Sequence, residues 1–507
     1  MRGRFPERPF DDDELATCLA VLEALHDLAP DDPIYLQVER AVAHLGKSAK
    51  KKRRLARKRD SRRRDRVLLE SAERVVMHRS GHLGSGASEL AAGHLPAPGP
   101  DEASESPGAS DSPRTLHRRR RCYVCKARYR QVHGFYHSLC PPCAARNYRA
   151  RTDRVDLRGR RALITGGRIK IGFELALKLL RDGARVVVTT RFPRDAARRY
   201  AACEDFARWR DRLAIQRIDL RFLPAVMAWI DGLVEDSEPF DIVINNAAQT
   251  VWRPPAYYAS VRAGEREVVL DDAAAGLIAG PVGEGPALSP GREALPPDAL
   301  ALLARGGGFS GQLGGALDSL ARAYQGDAAM FPAGVRDEED RPVDLRPENS
   351  WVLGLDRVEP IEVVEVMVVN VIVPFLLASR LVPSLMRSRF EDRYVVNVSA
   401  MEGKFDYGNK TPRHPHTNMA KAALNMMTRT AAEEYAGRGI YMNSVDTGWI
   451  TQENPQPIKQ RMAEEHSFCP PLDVVDGAAR VYAPIVRGVR GDRVHGFFFK
   501  DYQPTSW

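Results

Sequence analysis

The sequence predicts an α/β protein built on a doubly wound parallel sheet, preceded by a small cysteine-rich module and a helical N-terminal region. Three observations carry that expectation. From 157 onward, short runs rich in β-branched residues alternate with amphipathic stretches, the pattern from which parallel sheets are made. Four cysteines, Cys122, Cys125, Cys140 and Cys143, fall within one short window. Residues 12–45 carry apolar side chains at helical spacing. With 507 residues the chain has room for about three domains. A hydrophobic content of 44% and a charged content of 28% exclude wholesale disorder.

Taken in order, residues 1–78 read as helical. DELATCLAVLEALHDL and, after Pro30 and Pro33, IYLQVERAVAHL have the helical period, and the basic run that follows continues into DRVLLESAERVVMH, so that 47–78 reads as one long helix. The run 47–66 sets 13 Lys/Arg against Asp60 and Asp65. Because the whole chain is only +9, the remainder is close to neutral. This arm alone has the electrostatics of a contact with nucleic acid or an anionic surface; the other reading is a solvated face in an Arg-rich protein. Residues 79–117 shift to Gly, Ser, Ala, Pro and acid without an apolar period, the composition of a flexible linker.

Residues 118–150 hold the cysteines as CYVC, 14 residues, CPPC. Two such knuckles present four thiolates at tetrahedral geometry, which suits Zn and leaves no open position, so a structural, zinc-ribbon-like module is expected. Seven cysteines in all are too few for a disulfide scaffold. His133 and His137 are alternative ligands, and a redox CxxC pair is the alternative chemistry. Tyr123, Tyr129, Phe135 and Tyr136 decorate this module.

Residues 155–507 read as one sheet domain. ALIT, GGRIKIG, FELALKLLRDGA and RVVVTT form a βαβ unit. The stretch 259–350, with weak helix signals in ALALLARGG and GALDSLARAY, reads as an insertion, since neither flank closes a sheet without the other. It follows DIVINNAAQ directly, so it is a lid, a partner surface or a passive excursion. The longest mostly apolar stretch, 366–379, is too short to span a bilayer, and MRGRFPERPFDDDEL has no apolar leader core. The expectation is a cytoplasmic protein without a membrane span.

In the βαβ unit the first strand ends at Thr165, and Gly166, Gly167, Arg168, Lys170 and Ile171 lead to Gly172, which opens a helix whose first amides suit a pyrophosphate. The second strand ends in Thr189, Thr190 and Arg191; the third is followed by Asp219 and Leu220, the fourth by Asn246, Ala247 and Ala248. Together with Asn370, NVSA at 397–400, Lys421 in HTNMAKAALNMMTRTAAEEYAGRGI and MNSVDTG at 442–448, this series resembles the short-chain dehydrogenase/reductase family over about half the chain. The resemblance implies a Rossmann-type fold and oxidoreduction of a carbonyl or alcohol with a nicotinamide dinucleotide. It implies that the segment 165–172 cradles the dinucleotide, with Lys170 in place of the family's middle glycine. A basic residue there is similar to the pteridine-reductase branch and fits phosphate binding; the alternative is a lysine facing solvent. Asp219 and Leu220 would lie by the adenine, and Asn246, Ala247, Ala248 and Lys421 by the nicotinamide ribose. An acid at the end of the second strand would favour NAD; Thr190 followed by Arg191, whose guanidinium can fork a phosphate, favours NADP.

The resemblance also implies a catalytic set of Ser, Tyr, Lys and Asn. Asn370 and Lys421 match it. Thr417 stands where YxxxK has its tyrosine, and Ala400 where the serine belongs, leaving Ser399 one residue early on the opposite side of an extended strand. An aliphatic hydroxyl titrates far above the ~10 of a phenol, so proton transfer by the usual route should lose about 10²- to 10⁴-fold. Tyr407, His414 and His416, in MEGKFDYGNKTPRHPH, are candidates to replace the donor or else ordinary exposed loop residues. Thr447 replaces the proline of the family's PG turn. Two functions follow: an NADP-dependent oxidoreductase with an altered proton donor and an unknown substrate, or a catalytically inactive nucleotide-binding protein acting through the zinc module and basic arm. Self-association into a homo-oligomer is left open.

Overall fold

A computed structural model describes residues 10–79, 114–279, 326–337, 340–406, 408, 410–466 and 468–507. Of the linker read at 79–117, residues 80–113 lie outside those described, while Arg79 is helical and 115–117 are strand; the helix signals in ALALLARGG and GALDSLARAY, and Tyr407, also lie outside. The chain divides into two compact units, Met1–Leu69 with Thr115–Arg119, and Glu70–Arg114 with Arg120–Trp507.

The first unit is built on two helices. α1 (Asp12–Ala24) starts at a capping box in which the Asp11 carboxylate accepts from the Glu14 amide and the Glu14 carboxylate accepts from the Asp11 amide. α2 (Pro33–Glu70) runs 38 residues, carries the whole basic run and buries none of its side chains. Asp65, an acid inside that run, accepts from the amides of His117 and Arg118 at 2.7 and 3.0 Å, which draws a second basic segment alongside the first. The expected single helix over 47–78 is interrupted after Glu70. α3 (Glu73–Arg79) belongs to the second unit, where Arg74 and Val75 are buried and the Arg74 guanidinium donates to the Leu472 carbonyl at 2.8 Å.

The second unit takes in the last two residues of β1 (Thr115–Arg121), then β2 (Arg128–Gln131), and α4 (Pro141–Arg151) after the cysteines. The large sheet then begins with β3 (Arg161–Ile164), α5 (Lys170–Arg181), β4 (Arg185–Thr190), α6 (Pro193–Ala201), β5 (Leu213–Arg217), α7 (Leu223–Glu235) and β6 (Ile242–Asn245). After the inserted helices α8 (Ala259–Glu267) and α9 (Asp272–Ala275) come α10 (Pro360–Met367), α11 (Val373–Arg380), α12 (Val382–Met386), β7 (Arg393–Ser399) and α13 (Pro415–Ala436). β8 (Ile440–Asp446), α14 (Gln456–His466), α15 (Val474–Val489), β9 (Phe498–Lys500) and β10 (Gln503–Thr505) complete it.

The strand order is β10-β9-β8-β7-β6-β3-β4-β5, parallel except for β10. Helices cover both faces, so the central strands are largely buried; every residue of β7 is buried. One layer packs Leu175, Leu179 and Ile485 on the sheet, and the other packs Ile230, Leu377 and Leu385. β3 lies between β4 and β6, where the winding reverses, and the crevice beyond the strands' carboxyl ends at that point is where such sheets take ligands.

Two expectations need revision. Pro360–Met386 forms a 27-residue helical stretch, long and apolar enough by composition to cross a membrane, although the sequence set 366–379 below that length. Half of its most apolar 18-residue window is buried, and Val373, Leu377, Leu381 and Leu385 belong to the core, which accounts for its hydropathy. The start of the insertion is also integral to the sheet. Ile215 of β5 donates to the Leu277 carbonyl at 2.7 Å and accepts from the Ala279 amide at 3.0 Å, so this segment covers an otherwise open edge.

Candidate functional site

The glycine turn between β3 and α5 is tied down by Thr165. Its Oγ1 accepts from the amides of Asn246 and Ala247 at 3.1 and 3.0 Å, fastening the turn to the end of β6. Asn246 answers by donating to the carbonyls of Thr165 and Gly166. A Cβ on Gly172 would stand 2.1 Å from the Gly166 carbonyl oxygen and 2.5 Å from Asn246 Nδ2, and one on Gly167 would strike Val188, so both positions require glycine. Gly166 has φ +74°. α5 begins with no side-chain cap on its first amides, which leaves them for an anion. Ile171 meets Gly477 of α15, Leu220 is buried in the core, and Ala248 is exposed at the end of β6.

Lys170 keeps the left-handed backbone, at φ +57°, that a glycine would adopt without cost. The expectation that its ammonium faces a phosphate needs correction, because Nζ pairs with Glu453 at 3.1 Å. Asp219 is likewise engaged, in a forked pair with Arg221 at 2.7 Å, and its carboxyl is lowered to about 2 as that guanidinium overcomes the effect of burial.

At the end of β4, Thr190 Oγ1 accepts from the Phe192 amide at 3.0 Å, and no acid takes that position. Arg191 lies over the ring of Tyr258, 4.3 Å from its centroid, a contact supplied by the residue just before the insertion. Arg168 sits nearby but pairs with Asp195 at 2.6 Å.

Asn370 lies within a π-helical turn, Val368–Ile372, between α10 and α11. Such turns concentrate at functional sites. Its amide group exchanges two hydrogen bonds with the backbone of Gln249. The turn packs against α13, where Lys421 is half-buried and donates to the Val398 carbonyl at 2.7 Å. Burial lowers the lysine to about 8, against the opposing charge of Glu402.

The remaining two catalytic expectations are not met. Ser399 Oγ donates to Asn425 Oδ1 at 2.6 Å in a buried contact, while Ala400, with no hydroxyl to offer, stands at the strand end. Thr417 Oγ1 donates to the His414 carbonyl at 2.8 Å and lies 3.1 Å from His414 Nδ1, so it serves as a helix-start bond. His414 and His416 are buried, contrary to the reading as exposed loop residues. His414 stacks face to face on Trp351, with centroids 4.1 Å apart, and burial beside His416 lowers it to about 4, which keeps it neutral at pH 7. His416 Nε2 lies 3.2 Å from Glu362.

The four cysteine sulfurs lie within 4.8 Å of one another, and those of Cys125 and Cys140 are 3.6 Å apart. Sulfurs about 2.3 Å from a tetrahedral metal would be separated by roughly 3.8 Å, so the set fits Zn. The Cys140 amide donates to Cys122 Sγ at 3.3 Å, and Lys126 closes the first knuckle at φ +62°. His133 Nδ1 instead accepts from the Phe135 amide. Tyr129, Phe135 and Tyr136 are buried, so they are not open to base stacking.

The sequence reading missed how this module meets the sheet domain. Tyr123 Oη accepts from the Trp449 amide at 2.8 Å, Tyr136 donates to Asp476 at 2.5 Å, and Arg151 pairs with Asp473 at 2.7 Å. Arg480 donates to Asn147 at 2.6 Å. The only available sequence hint was an aromatic inside a chelating knuckle.

A glycine turn at the reversal of a parallel sheet, with an Asn-bearing π turn and a half-buried lysine beyond it, defines a dinucleotide-fold protein. The comparisons narrow that class. Residues 160–266 match the family model described as short chain dehydrogenase, and 355–473 the model described as enoyl-(acyl carrier protein) reductase, so the two matches leave out most of the insertion. The chain belongs to the short-chain dehydrogenase/reductase family. An uncharacterized protein of Acanthamoeba polyphaga mimivirus is 30% identical over 405 residues, covering 76% of this chain and 73% of its own. A short chain dehydrogenase of Aspergillus terreus is 29% identical over 98 residues, 19% of this chain and 31% of its own. Among solved structures, a short chain dehydrogenase from Burkholderia cenocepacia in complex with NADP is 18% identical, with a TM-score of 0.40, covering 68% of this chain and 97% of that one. NADPH-bound carbonyl reductase from chicken fatty liver is 16% identical, with a TM-score of 0.40, covering 69% and 100%.

Proposed function

We propose that the protein binds NADP(H) in the crevice between β3, β4 and β6, and that it is an oxidoreductase-type protein in which the ordinary proton donor is missing. The observation that carries this reading is the uncapped start of α5 behind a turn that admits only glycine at 167 and 172, with Arg191 held by Tyr258 where an acid would otherwise select NAD. Bound there, the dinucleotide supplies a hydride. The chain's own residues would do the rest. The α5 amides hold the pyrophosphate, Arg191 forks the 2′-phosphate, and Lys421 orients the nicotinamide ribose. Neither Ala400 nor Thr417 can pass a proton to a carbonyl oxygen near neutrality. Turnover on ordinary carbonyls should therefore be slow, and the substrate is a carbonyl or alcohol of unspecified class. The four cysteines would hold one structural Zn.

Calorimetry tests the cofactor preference. NADPH should bind more tightly than NADH, and Arg191→Ala should weaken NADPH by about 10- to 100-fold, the worth of one charge-assisted contact, while leaving NADH unchanged. Equal affinities in the wild type would remove the argument.

A further inference from the structure

The four-cysteine module reaches the nucleotide crevice by two independent routes. The first begins at Tyr123, inside the first knuckle, whose hydroxyl holds the Trp449 amide at 2.8 Å in the turn that follows β8. Gly448, just before it, is at φ +78°, and a Cβ there would lie 3.4 Å from the same hydroxyl. Trp449 Nε1 donates to the Thr451 carbonyl, Thr451 Oγ1 donates to Glu453 at 2.8 Å, and Glu453 pairs with Lys170 of the glycine turn. The second route runs through α15. Tyr136 and Arg151 grip Asp476 and Asp473 in its first turn, and Gly477, next in sequence, lies directly against Ile171. A metal that fixes the knuckle thus fixes, through two chains of side-chain contacts, the segment facing the dinucleotide from both sides.

We infer that the cysteine module is a metal-dependent brace for the cofactor site, with Tyr123 as its positioning residue, so that zinc occupancy and nucleotide affinity are linked. The inference rests on the NADP(H) reading above and adds a regulation of that same site. Without metal the knuckle backbone is free, and ordering the 447–453 turn must be drawn from the nucleotide's own binding energy. The apparent affinity then falls by the fraction of molecules in which the turn is formed. Linkage is reciprocal: whatever factor zinc contributes to NADPH affinity, NADPH must contribute to zinc affinity.

The test uses the full chain. NADPH affinity is measured by calorimetry for zinc-loaded protein, zinc-depleted protein, and zinc-loaded Tyr123→Phe. Release of zinc to a chromogenic chelator is followed with and without NADPH. Depletion should weaken NADPH by at least about fivefold, the lower end of typical couplings. Tyr123→Phe should weaken it about fivefold with one zinc still bound, the worth of one hydrogen bond. Saturating NADPH should slow zinc release. Tyr129→Phe, which loses only a bond to His137 inside the module, should leave NADPH affinity unchanged. If depletion unfolds the chain, the Tyr123→Phe and release measurements decide alone. If NADPH binds equally to the wild type and Tyr123→Phe, and zinc release ignores NADPH, the brace is refuted while the nucleotide reading stands. If zinc-loaded wild type binds no NADPH, the nucleotide reading falls and the brace with it.

Discussion

Thr417→Tyr combined with Ala400→Ser should raise NADPH-dependent carbonyl reduction by about 10²- to 10⁴-fold, the usual contribution of a positioned general acid. Thr417 and Lys421 lie four residues apart on α13, hence on one face, so a phenol at 417 would stand over the ammonium. Burial already lowers Lys421 to about 8, and below that pH its positive charge would favour the phenolate and bring the tyrosine toward neutrality. The serine hydroxyl would restore the carbonyl contact that Ala400 lacks. The exchange removes the Thr417 bond to the His414 carbonyl, so a stability loss of about 1 kcal/mol should accompany the gain. Initial rates of NADPH oxidation across a carbonyl panel, with binding checked by calorimetry, measure the effect. A double variant that binds NADPH but shows no gain would mean that more than the proton donor has been lost from the site.

Removing the metal should have the largest effect on stability. Four thiolates on one Zn can supply on the order of 10 kcal/mol to a module with little core of its own, comparable to the whole stability of a typical domain. The loss would not stay local. Arg151 is the basic partner shared by Asp473 and Asp476, and both carboxylates are fully buried at the start of α15. Freed from Arg151, they would face each other in a low-dielectric site, at a cost of about 3–5 kcal/mol. Protein purified without chelator should therefore contain one zinc per chain by elemental analysis, and Cys122→Ser with Cys140→Ser should abolish it and lower the melting temperature of the whole second unit. Absence of stoichiometric metal, or an unchanged melt in the double variant, would refute the structural role.

The sheet was legible because its signals are local. Strand runs such as RVVVTT and DIVINN and the glycine turn at 166–172 specify themselves, and the reversal between β3 and β6 follows from right-handed connections. The cysteine pattern was legible for the same reason, since CYVC and CPPC carry their ligands at fixed spacing. What escaped depends on partners hundreds of residues away. Nothing near Lys170 announces Glu453, and nothing near Tyr123 announces Trp449. His414 and His416 read as loop residues because Pro415 and the polar flank suggest exposure, yet Trp351 and Glu362 bury them. The break at Ser71 and Ala72 was equally hidden: the helical period continues through it, and the docking of Arg74 and Val75 in the second unit overrides the period.

The central claim, a nucleotide site retained without its ordinary acid, is tested most directly by the fluorescence of NADPH added to the zinc-loaded wild type in the presence of a broad carbonyl panel. The account predicts a saturable signal at one nucleotide per chain that decays slowly or not at all. Absence of a binding signal would contradict it, as would rapid, sustained NADPH consumption that survives substitution of both His414 and His416.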